Sequence, residues 1–239
     1  MADVAHEAGV SVASVSNFLN KQPYMSEAMA ARIAEAIDRL GYKVNSSARN
    51  LRSGRTRLLK LVIPDLRQVY FSELAEDILA EARQHGYGVI VESTTNNRAR
   101  ELESIASMGT HSADGLILSP LMMTVDDIAA LDGDYPLILL GERLFGVNAP
   151  HVVIRNHEGA AATYHLLDAC CRRIAVVGAV PHPEHDFSSG SIRTHGYREA
   201  LAARGIPCDD SLLIETQGWG SADGLVAVDT MLESGLQFD

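Results

Sequence analysis

From Leu58 onward the chain alternates short apolar runs with amphipathic stretches, and no other feature constrains its fold as tightly. Residues 58–64, 89–91, 115–118, 136–140, 151–154 and 174–178 read as strands, too uniformly apolar to keep one face wet. Between them, residues 71–85, 98–108, 124–131, 158–171 and 194–204 carry helical spacing, with Gly86 and Gly205 as stops. Buried strands separated by helices imply a parallel sheet covered on both faces. Ligands of such sheets sit beyond the carboxyl ends of the strands.

The first 57 residues follow a different rule. Val4, Ala5 and Ala8 share one helical face, closed by Gly9. Ser11 is a candidate N-cap for a second helix reaching about Asn20, with Val10, Val15 and Leu19 inward and Ser14, Ser16, Asn17 and Asn20 largely outward. Residues 21–24 form a loop. Ser26 then caps a third helix whose stripe is Met29, Ile33, Ile37 and Leu40, ended by Gly41. Three short helices with a tight glycine-containing turn between the first two make a helix-turn-helix domain.

Charge separates the two regions. The net charge of −11 argues against nucleic acid until its distribution is read. Residues 1–57 hold eight Lys/Arg against five Asp/Glu, and residues 43–57 hold five basic side chains with no acid. The remaining 182 residues are strongly acidic, so a basic module is attached to an acidic body.

The run Asp3-Val4-Ala5-x-x-Ala8-Gly9-Val10-Ser11-x-x-Ser14-Val15-Ser16-x-x-Leu19-Asn20 resembles the N-terminal signature of the lactose-repressor/galactose-repressor (LacI/GalR) family of bacterial transcription regulators. The likeness continues through Val44-Asn45-x-x-Ala48-Arg49-x-Leu51, which looks like that family's hinge helix, and the later strand–helix order follows its effector domain. The resemblance implies an N-terminal all-α helix-turn-helix domain plus an α/β parallel-sheet effector domain of periplasmic-binding-protein type. Domains are expected at 1–44 (reader), 45–57 (hinge), 58–156 and 157–239 (the two effector subdomains). Relatives continue well past Asp239, so the second subdomain is expected to be incomplete.

By that resemblance Val12, Ala13 and Asn17 take the base-reading positions, and Ser11, Ser14, Ser16 and Asn20 serve the DNA backbone. Many members carry Arg where Asn17 stands. Val12 and Ala13 can offer a thymine methyl only apolar contact, whereas Asn17 can bond adenine bidentately. Asn45, Ala48 and Leu51 fall in the hinge, and Leu51 matches a leucine that wedges into the minor groove of a bent duplex. The alternative for Leu51 is packing of a linker against the body.

For the effector, Tyr70-Phe71 follow the first strand where relatives stack a ring, though an aromatic helix-start staple reads equally well. Arg193 matches an arginine that bonds effector hydroxyls or carboxylates, and a bidentate guanidinium at a helix entry suits that task. A surface ion pair is its alternative. Asn156 completes the expected effector set. Beside it, Arg155 replaces an acid frequent in the family, which favours an anionic effector or else a local salt bridge.

Other chemistry is weakly indicated. His182, His185 and Asp186 lie in a proline-rich loop without metal-ligand spacing, and Cys170, Cys171 and Cys208 make an odd count without it. No metal or cofactor is expected, and no glycine-rich phosphate loop or G-x-S-x-G elbow occurs. Asp3 and Glu7 sit where a signal peptide would be basic, so the expected location is the cytoplasm, with nucleoid association when bound to DNA. The expectation is a homodimeric repressor of double-stranded operator DNA, controlled by a small sugar-like effector, non-enzymatic and not membrane-bound. The alternatives are a soluble small-molecule-binding module without DNA function, or a truncated, inactive repressor.

Overall fold

The computed structural model describes residues 1–20, 22, 25–42, 54–110, 112–144, 146–181 and 188–239. The chain divides into two units, Met1–Arg55 and Thr56–Asp239. Of the expected site residues, Asn45, Ala48 and Leu51 lie outside the described residues, as do His182, His185 and Asp186.

In the first unit, α1 (Ala2–Ala8), α2 (Val12–Leu19) and α3 (Glu27–Leu40) close around a small core. Val4, Val15 and Ile33 are fully buried, with Ala5, Ala8 and Ala36 filling the gaps between helices. Each large side chain contributes about 1.5–3 kcal/mol by burial, so so small a core leaves the unit marginal. Gly9 and Gly41 take the left-handed conformation (φ 58° and 56°) that ends α1 and α3 and turns the chain sharply. Ser11 and Ser26 cap α2 and α3 by accepting hydrogen bonds from the amides of Ser14 and Met29. The expected stripe on α3 needs one correction. Leu40 is 45% exposed, and Ala36 takes the inward place. Leu40 stands in the last turn of α3, just before the chain reverses at Gly41.

The second unit begins with a five-stranded parallel sheet in the order β2-β1-β3-β4-β5, where β1 is Leu58–Ile63, β2 Gly88–Ser93, β3 Gly115–Leu118, β4 Leu137–Leu140 and β5 His151–Val152. Alternate side chains part to opposite faces. Val62, Leu116, Leu118 and Leu139 pack beneath α5 (Arg98–Ala106) and the 3-10 turns that follow it. Leu61, Ile63, Ile117 and Leu140 pack beneath α4 (Val69–Gln84). Asp114, just before β3, accepts from the Thr56 amide (2.5 Å), the Thr56 hydroxyl (2.7 Å) and the Arg57 amide (3.0 Å), pinning the chain where it enters the sheet.

A second, smaller layer follows: α6 (Asn156–Gly159), α7 (Ala161–Asp168), β6 (Val176–Val177), α8 (Ser189–Ala203), β7 (Leu213–Ile214) and α9 (Ser221–Glu233), with β6 and β7 paired in parallel. Leu167, Ile174, Tyr197, Ala200, Leu201 and Leu213 form its core. Tyr197 is 2% exposed and donates its hydroxyl to the Ile174 carbonyl at 2.9 Å. Burial pushes its phenol up to about 12, and Cys208 and Asp209 add to the effect. The helix expected over 158–171 is broken at Ala160, and the segment 124–131 is 3-10 rather than α. The strands expected at 151–154 and 174–178 shorten to two residues each.

Candidate DNA-reading helix and effector cleft

On α2 the local chemistry sorts the side chains by face. Val15 points into the core, while Ser11, Val12, Ala13, Asn17 and Asn20 are exposed. Ser11 and Ser14 share a hydroxyl–hydroxyl bond of 2.9 Å, and the Asn20 amide reaches the Ser16 hydroxyl at 3.5 Å. The outer surface thus combines hydroxyls, two carboxamides and two small apolar groups. Arg39 on α3 bridges Glu7 and Glu35, each at 2.6 Å, so its charge is engaged within the unit. A shallow crevice of about 390 Å³ lies between α2 and the start of α3, with Ser14, Asn17, Gln22 and Ser26 on its walls.

The second candidate site lies where β4 ends and the smaller layer begins. Glu142, two residues past β4 and 8% exposed, accepts from the Asn156 carboxamide by a short bond and from the Ser189 hydroxyl at 3.0 Å. Asn156, 3% exposed, in turn accepts from Arg193 Nε at 2.7 Å. The Arg193 guanidinium stands over the Trp219 ring, 5.5 Å from its centroid. A carboxylate, an amide, a cation and an aromatic face are therefore linked in one chain across the junction.

Trp219 depends on two glycines. A Cβ at Gly178 would stand 3.2 Å from its ring, and one at Gly190 would stand 3.3 Å away. Gly178 also has φ 79°, which only glycine adopts without strain. Tyr70 is half exposed and lies within the field of the same carboxylate. Burial raises its phenol above the ordinary tyrosine value, and the Glu142 charge raises it further. A pocket of about 390 Å³ adjoins the junction, lined by Ile154, Asn156, Ala160, Thr163, Arg193 and Tyr197 among others.

The structure brings together Asn156 and Arg193, leaves Tyr70 half exposed within the field of Glu142, and separates Phe71, which edges Tyr70 at 4.9 Å between centroids and packs into the core under α4. Arg193 is not at a helix entry. Ser188 caps α8, so Arg193 sits one turn inside it and reaches Asn156 sideways. Arg155 resolves to the local salt bridge, 2.9 Å from Glu158 and 80% exposed. Sequence reasoning passed over Glu142, Ser189 and Trp219. Trp219 is the only tryptophan in the chain, and its isolation between glycines was the available signal.

A three-helix reader joined to a two-layer parallel α/β body defines the class of a bacterial regulatory protein with a ligand-binding domain. The family model "Bacterial regulatory proteins, lacI family" matches residues 1–45, and "Periplasmic binding proteins and sugar binding domain of LacI family" matches residues 56–238. The chain belongs to the LacI family. It is 30% identical over 234 residues to catabolite control protein A of Priestia megaterium, covering 97% of this chain and 69% of that one. A solved putative transcriptional regulator of the LacI family from Sanguibacter keddieii is 34% identical, with a TM-score of 0.67 over 77% of this chain and 65% of that chain. The lac repressor dimer bound to operator and the anti-inducer ONPF shares the fold at a TM-score of 0.81 with 20% identity, over 98% and 70% of the two chains. Against curated relatives the chain spans between 60% and 71% of their length. Among the described residues no helix is long and apolar enough to cross a membrane.

Proposed function

We propose that this chain is a sequence-specific DNA-binding transcription regulator, a repressor controlled by a small polyhydroxylated effector. The observation that carries the reading is the joining of an exposed, hydroxyl-rich α2 to a body whose strand ends hold the Glu142–Asn156–Arg193–Trp219 chain. Residues 1–44 read DNA, 45–57 form the hinge, and 58–156 and 157–239 supply the two sides of the sensor. Ser11, Ser14, Ser16 and Asn20 engage phosphates, Val12, Ala13 and Asn17 meet base edges, and Asn45, Ala48 and Leu51 belong to the hinge contact.

In the sensor, a sugar hydroxyl pair can donate to Glu142 and accept from the Arg193 Nη groups, while an apolar ring face lies on Trp219. Asn156 holds Arg193 in register, and Tyr70 closes the side near Glu142. The protein acts by binding rather than catalysis, as a homodimer on a pseudo-palindromic operator, in the cytoplasm and on the nucleoid when bound. Selection of genomic fragments by the full chain, followed by titration with a panel of neutral sugars and sugar acids, tests this. Enriched fragments whose binding falls steeply with salt and shifts with one sugar support the reading. Binding indifferent to DNA sequence and to every sugar would remove it.

A further inference from the structure

In a helix-turn-helix the second helix enters the major groove, with its N-terminal residues against base edges. In this chain that helix is α2, and its exposed N-terminal side chains are Val12 and Ala13, 45% of Val12 being open. One turn on stands Asn17, also exposed. The hydroxyls around these three are engaged locally, Ser11 with Ser14 and Ser16 with Asn20. Among the described residues the Asn17 carboxamide makes no side-chain hydrogen bond, so both its donor and its acceptor are uncommitted.

The electrostatics are equally selective. From Met1 to Asn20 there is no lysine or arginine, while Asp3 and Glu7 lie on α1. Guanine is read chiefly by arginine or lysine donating to O6 and N7, and α2 carries neither. A carboxamide instead matches adenine, donating to N7 and accepting from the N6 amino group. Small apolar groups match the thymine methyl.

We infer that α2 reads A·T pairs alone, with Asn17 on an adenine and Val12 and Ala13 against thymine methyls, and makes no guanine contact. This rests on the regulator reading above and narrows its DNA partner to half-sites that are A·T at the positions α2 faces.

The test uses the full chain. Random-duplex selection yields the half-site, and repetition with Asn17→Ala identifies the position whose discrimination disappears. That position is expected to be adenine. Replacing it with 7-deazaadenine, which lacks the N7 acceptor, should weaken the parent about 5- to 150-fold and leave Asn17→Ala unaffected. Replacing neighbouring thymines by uracil should weaken binding in the parent as well. Asn17→Arg should move the preference at that position from adenine to guanine. Enrichment of guanine by the parent there, or equal binding of adenine and 7-deazaadenine, would overturn the inference while leaving the regulator reading intact. No enrichment of any sequence would overturn both.

Discussion

Gly196 leaves no room for a side chain between α8 and the end of α6, and replacing it with alanine tests how the sensor's second layer holds Arg193. A Cβ at Gly196 would stand 2.5 Å from the Ala160 Cβ and 3.2 Å from the His157 carbonyl oxygen. In an open helix, Gly→Ala stabilises by about 1 kcal/mol. Here the clashing atom is a Cβ fixed to the backbone, with no rotamer to relieve it, so α8 must move from α6. Overpacking of this kind costs about 1–3 kcal/mol, and a rigid contact belongs at the upper end. The net expectation is a loss of about 1–2 kcal/mol, lowering Tm by about 2–8 °C for a unit of this size. Because Asn156 begins α6 and Arg193 lies on α8, the same shift should stretch their 2.7 Å bond and weaken effector binding. Thermal and urea melts of Gly196→Ala, Ala160→Gly and the double variant measure the coupling, expected at about 1 kcal/mol or more in favour of the pair. If Gly196→Ala raises Tm, or if Ala160→Gly restores nothing, the close-packing argument is wrong.

Arg193→Ala should abolish the effector response while leaving operator affinity within about twofold, since α8 and the reader are in separate units; unchanged response in a ligand titration would return Arg193 to the surface. Glu101 is fully buried and accepts from the Leu121, Met122 and Met123 amides at 2.9–3.1 Å, so Glu101→Gln sets an NH2 donor against those donors and should cost about 3 kcal/mol in urea unfolding. Hydrogen bonds from Arg98, then from the Thr124 amide, hold the Asp127 carboxyl below its ordinary value. Its contribution to stability is therefore present above about pH 4 and lost as pH falls through the depressed value. Melts of the parent and Asp127→Asn should differ near pH 6 and draw together as the acid side is entered and pH falls through the depressed value; a constant gap would place the effect elsewhere.

Much of this molecule was legible from periodicity because periodicity reports one-dimensional physics. The helix caps at Ser11 and Ser26, the stops at Gly9 and Gly41, and the apolar runs of the first four strands act within a few residues of themselves, and they appear where the spacing puts them. The outward face of α2 was legible for the same reason, since Val15 had to point inward and carried Asn17 outward with it. What required the tertiary structure were charges whose burial is met by distant partners. Lys60 reads as an oddity in an apolar strand until its ammonium meets Glu92, Ser104 and Ser107 at 2.6–3.0 Å. Burial pushes the Glu92 carboxyl up, yet Lys60 and Ser104 hold it below its ordinary value. Glu142 carries no local signal, and it is the fold that lays Asn156 and Ser189 against it from 14 and 47 residues away. Trp219 entered the cleft only because Gly178 and Gly190 leave room for its ring. Sequence spacing determines which residues share a face of one element. Which faces meet, and which buried charge finds its partner, is decided by contacts between elements far apart in the chain, and no local pattern records them.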